Sequence, residues 1–106
     1  MDAFIEVEIT CPDAAVAEAV ARACIGARLA ACANIRSGLH SLYRWQGAVE
    51  EASEVALALK TRAALFDAVC EAVTEVHPYE VPAIVAWQLV GVSPAYAAWL
   101  RDETRG

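Results

Sequence analysis

From Ala3 to Thr10 the chain alternates, with Ile5, Val7 and Ile9 on one face and Phe4, Glu6 and Glu8 on the other. This period of two predicts a strand with one buried face. Cys11-Pro12-Asp13 breaks the pattern, and Asp13 is a good N-cap for a helix from Ala14 to about Arg28. Val16, Val20, Ala23, Cys24 and Ala27 recur there at three-to-four spacing, a narrow apolar stripe on an alanine-rich segment. The next stretch has no proline and one glycine between Ala30 and Trp45, and its second half (Leu39, Leu42, Tyr43, Trp45) favours extended backbone. It predicts one very long strand that turns back at Gln46-Gly47. Residues 48–54 are acidic and read as a loop or strand edge. Glu54 to Thr61 alternates, with Val55, Leu57 and Leu59 against Ala56, Ala58 and Lys60, so the two strands form a hairpin. Ala63 to Val76 is helical, with Leu65, Phe66, Val69, Cys70, Val73 and Val76 on one face, and His77 before Pro78 ends it. Val81 to Val90 is a fourth strand, apolar on both faces as a central or interface strand would be. Ser93-Pro94 opens a last helix packing through Tyr96, Trp99 and Leu100.

The order β-α-β-β-α-β-α predicts an α+β, ferredoxin-like domain with an added C-terminal helix, one unit over residues 1–106. The long strand has a further consequence. Sixteen residues from Ala30 to Trp45 would span about 53 Å if straight, whereas a compact chain of this size is roughly 34 Å across. The strand must bend, for which Ser37-Gly38 is the natural place, and must overhang. An overhanging apolar strand is an aggregation hazard unless another copy pairs with it, so a closed homo-oligomer is expected.

Composition adds to this picture. The chain is 58% hydrophobic with mean hydropathy +0.39, yet no apolar run approaches the ~20 residues of a membrane span. The excess apolar surface points to burial between subunits. Net charge is −6, and Lys60 is the only lysine, which leaves no basic patch for nucleic acid. The N-terminal sequence lacks a charged region followed by an apolar one, and a cytoplasmic location is expected. Cys11, Cys24, Cys32 and Cys70 show no C-x-x-C pair and read as free thiols. No nucleophile elbow, HExxH, Walker loop or dinucleotide turn occurs, so no catalytic residue is assigned and the chain reads as a non-enzyme.

Four segments carry a family likeness: Leu29-Ala30-Ala31-Cys32-Ala33-Asn34-Ile35, Ser41-Leu42-Tyr43-Arg44-Trp45-Gln46-Gly47, Leu59-Lys60-Thr61-Arg62 and His77-Pro78-Tyr79-Glu80-Val81-Pro82. In order and separation they resemble the CutA divalent-cation-tolerance proteins. That resemblance implies a ferredoxin-like subunit, an interlocked homotrimer assembled through the long central hairpin, and a role in tolerance of copper and other divalent ions. The chain departs from the family pattern at Ser37-Gly38, where Pro-Gly is usual, at Ala83, where Glu is usual, and at Gln46, where an acid is common.

Cys32 and His77 are the candidate metal ligands, since a thiolate and an imidazole suit copper or another divalent metal ion and both match family positions suspected of copper contact. Their structural alternatives are a small buried hydrophobe and a helix-end cap. No cofactor is otherwise required. The resemblance also suggests that Trp45, Lys60, Tyr79, Glu80 and Trp99 converge at a subunit boundary as an aromatic-walled pocket for a small anionic or zwitterionic ligand. Two other functions stay open: a PII-like trimeric signalling module that binds a small molecule or a protein partner, and a structural scaffolding trimer. The lone Lys60 argues against a triphosphate.

Overall fold

The alternating segment at the start of the chain becomes β1 (Phe4–Cys11), an inner strand of a four-stranded antiparallel sheet. The structure is a computed structural model and describes residues 3–106. After β1 come α1 (Ala14–Gly26), β2 (Cys32–Trp45), β3 (Ala48–Arg62), a 3₁₀ turn over Ala63–Leu65, α2 (Phe66–Val76), β4 (Ile84–Gln88) and α3 (Pro94–Glu103). The strand order is β2-β3-β1-β4, the ferredoxin-like arrangement with a terminal helix. The Asp13 side chain accepts a hydrogen bond from the Val16 amide at 2.8 Å and caps α1.

One face of the sheet carries the core. Ile5, Val7, Ile9 and Cys11 of β1 and Val55, Leu57 and Leu59 of β3 pack beneath Ala17, Val20, Ala21 and Cys24 of α1 and Val69 and Val73 of α2. The α1 stripe is therefore rotated from the predicted one: Ala17 and Ala21 face inward, while Ala23 is only half-buried and Ala27 lies beyond the helix and exposed. Thr61 is fully buried on this face, and its hydroxyl donates to the Leu29 carbonyl at 2.6 Å.

The opposite face is covered at its ends: at one, Ala97 and Leu100 of α3 pack on Phe4, and at the other Ala56 and Glu54 are buried. Trp99, expected in that packing face, is exposed and stacks near Tyr96 with ring centroids 5.4 Å apart. The remainder of the face is open. Across it run Cys32, Lys60, Glu6 and Trp87 in one row, and Asn34, Ala58, Glu8 and Val85 in the next. Val85 and Trp87 are exposed. β4 is thus a short edge strand, not a central one; it starts at Ile84 and not at the expected Val81, past Pro82, which has no amide proton to donate to a ladder.

Beyond Cys11↔Val55 the central strand ends, but β2 and β3 continue to pair with each other from Leu39↔Glu54 to Trp45↔Ala48. The acidic stretch 48–54 is therefore regular strand, because β2 supplies it with a partner throughout. The ladder shifts register between Arg36 and Leu39, with Gly38 at φ +91°, at the predicted bend. At the tip Gln46 (φ 49°) and Gly47 (φ 82°) both take positive φ, as a type I′ hairpin turn requires. The result is a two-stranded arm projecting from the body, and the molecule measures 45 × 25 × 22 Å. Among the described residues no helix is long and apolar enough to cross a membrane.

Candidate functional site

Pro78 stops α2 and leaves the segment 77–83 to cross from the helix to β4, held by His77 at its start and by the Thr10 amide, which donates to the Ala83 carbonyl at 3.3 Å. His77 is buried. Its Nδ1 accepts from the Tyr79 amide at 3.1 Å, and its Nε2 lies 2.8 Å from the Thr10 carbonyl. Because Nδ1 accepts, Nε2 carries the proton and donates, so neither nitrogen offers a free lone pair in this arrangement.

The segment beyond His77 faces the base of the arm. Between them lies a cavity of about 680 Å³, lined by Thr10, Ser41, Tyr43, Arg44, Trp45, Glu54, Pro78, Tyr79, Glu80, Val81 and Ala83. Glu54 is only 6% exposed, and it accepts a hydrogen bond from the Tyr79 hydroxyl at 2.5 Å. Burial, and then the hydrogen bond to Glu54, push the Tyr79 phenol well above its usual range. The tilted Tyr79 ring lies 4.7 Å from that of His77, so the buried histidine and the buried acid together set its position.

Of the five residues expected in a pocket, Trp45, Tyr79 and Glu80 line this cavity, whereas Lys60 and Trp99 do not. Lys60 lies on the open face, 3.5 Å from Glu6 and 3.4 Å from the Asn34 side-chain oxygen. It is already neutralised there. Sequence reasoning missed Tyr43, Arg44 and Glu54. The strand period gave a signal for Tyr43, which lies two residues from Trp45 and so on the same face.

Cys32 also lies on the open face, partly buried, with its thiol 3.7 Å from Asn34 Oδ1. The Tyr96 phenol is pushed up to about 12, first by burial and then by the neighbouring Cys32 thiol. Cys32 is level with Glu6 and His77 with Thr10, four residues apart along the sheet, or about 13 Å. One chain does not bring the two together. Among the described residues no three His, Cys, Asp or Glu side chains form a group able to hold a metal ion, so the donors of one chain do not fit a closed site for copper or zinc. Cys11 and Cys24 are buried core thiols. Burial raises both to about 11, with Asp13 and Glu54 adding to the effect at Cys11.

The family model described as CutA1 divalent ion tolerance protein matches residues 5–103. The chain belongs to the CutA1 family. It is 46% identical over 96 residues to the divalent-cation tolerance protein CutA of Thermus thermophilus, a match covering 91% of this chain and 93% of that one. To protein CutA of Mus musculus it is 42% identical over 96 residues, but the match covers only 54% of that protein, so the chain spans about half the length of this mammalian relative. The crystal structure of CutA1 from Oryza sativa superposes with a TM-score of 0.93 at 38% identity, covering 97% of this chain and 94% of that one. That of the T. thermophilus protein gives 0.92 at 44% identity, covering 96% and 99%. The four segments resembling CutA fall at the start of β2, the arm, the end of β3 and the cavity loop. In this CutA1 chain they thus frame both the open face and the cavity.

Proposed function

We propose that the chain serves divalent-cation tolerance as a cytoplasmic homotrimer, a binding and assembly protein and not a catalyst. The observation that carries the assembly is the arm. Leu42 is 65% and Val49 64% exposed at its end, on a two-stranded ribbon that is marginally stable by itself in water. Covering these side chains and the open-face Val85 and Trp87 with other copies removes both liabilities. A closed ring of copies does so without leaving an edge. Tolerance of divalent cations rests on family membership and on the names of its relatives.

Metal binding in this reading belongs to the assembly. Each donor is present once per copy, so a site that one chain cannot close can draw on several partly buried Cys32 thiols, soft donors that suit copper. His77 joins such a site only by giving up its bond to the Thr10 carbonyl or to the Tyr79 amide. The test is a copper and zinc titration of the reduced protein beside Cys32→Ser and His77→Ala variants of confirmed mass. Micromolar binding lost in Cys32→Ser supports the reading. Binding that is absent, or equal in all three proteins, contradicts the metal half of it.

A further inference from the structure

We infer that the cavity between the arm and the 78–83 segment is a binding site for a small organic ammonium ion. Three aromatic rings, Tyr43, Trp45 and Tyr79, line it, and each keeps a third or more of its surface exposed. Among them sits the carboxylate of Glu54, more than nine-tenths buried. Among the described residues its one side-chain hydrogen-bond donor is a neutral phenol, that of Tyr79. Among the described residues no Lys, Arg or His stands within ion-pair distance of it, the ion pairs being Arg22–Glu18, Arg36–Glu8, His40–Glu51 and Lys60–Glu6. A buried carboxylate lacking a cation carries an uncompensated desolvation cost. A cation entering the cavity would offset it.

The lining decides which cation. Two carboxylates, Glu54 and Glu80, stand against one guanidinium, Arg44, and Lys60 lies elsewhere, so of the anionic or zwitterionic ligands expected from the sequence the balance disfavours the purely anionic. A hard metal ion wants six or more oxygen ligands, and no such cluster is present among the described residues. Aromatic faces instead suit a weakly hydrated alkylammonium, which they attract through the ring quadrupole. The volume lies within the range of small-molecule sites. Arg44 and Glu80 are left for a polar tail.

The test compares choline with 3,3-dimethylbutan-1-ol, which has the same shape with carbon in place of the charged nitrogen, by calorimetry on the full-length protein. The site predicts saturable choline binding and at least about tenfold weaker binding of the neutral analogue, the size of one desolvated cation–π contact. Glu54→Gln should reduce choline affinity at least about tenfold and leave the neutral compound unchanged. Trp45→Leu, on the half-exposed arm, should weaken choline without disturbing the core. Absence of saturable choline binding, equal binding of the two compounds, or retention of choline affinity in both variants overturns the inference. Light-scattering mass on the same samples reports assembly separately.

Discussion

The body and the arm of this molecule are built from the same two strands with opposite results. Between Val55 and Thr61, β3 lies between β1 and β2 under two helices, and Leu57, Leu59 and Thr61 are fully buried. Between Ala48 and Ser53 the same strand has one neighbour and no helix, and all but Ala52 of its residues are exposed. Backbone pairing is continuous through both. Pairing therefore does not make an element self-sufficient; burial of side chains does, and the body has that burial within one chain while the arm lacks it.

Substitutions should separate the two regions sharply. Leu57→Ala removes a fully buried side chain facing Ile9 across the sheet and should cost about 3 kcal/mol of unfolding free energy in urea. Leu42→Glu with Val49→Glu should lower the stability of the isolated subunit by no more than about 0.5 kcal/mol, as exposed positions do. It should nevertheless dissociate the assembly, read as a fall in light-scattering mass. If the pair unfolds the subunit as Leu57→Ala does, the arm is part of the body. Thr61→Val keeps the shape but removes the hydroxyl that donates to the Leu29 carbonyl, and should cost about 1 kcal/mol.

Above pH 9 the body should also show a pH dependence of its stability. Cys11 and Cys24 are raised from 9.0 to about 11 by burial. The unfolded chain loses these protons first, so the stability they contribute is intact below pH 9 and declines as pH rises from 9 to 11. Thermal melts of a Cys11→Ala, Cys24→Ala variant should decline less over that window, leaving the part due to tyrosines.

What could be read from the sequence follows the range of the interactions concerned. β1, the bend at Gly38 and the turn at Gln46-Gly47 depend on neighbours a few residues away, and the pattern located each. The overhang followed from strand length alone. The cavity did not, because its key acid is buried by a tyrosine 25 residues further along; taken locally, Glu54 sits at the end of an acidic stretch and looks solvated. Within one chain Lys60 and Trp99 lie outside the cavity for the same reason. Strand register sets Lys60 beside Glu6, and Trp99 lies on the outer side of α3, facts that no local spacing carries. Cys32 and His77, paired as candidate ligands by their chemistry, are set four residues apart along the sheet within one chain.

The most direct test of the account is the native mass of the reduced protein at micromolar concentration. A homotrimer closed over the arms and open faces predicts a single species at three times the 11.3 kDa chain, reverting to one chain in the Leu42→Glu, Val49→Glu variant. A stable, folded wild-type species of 11.3 kDa would contradict it, since the arm would then stand in water without a partner.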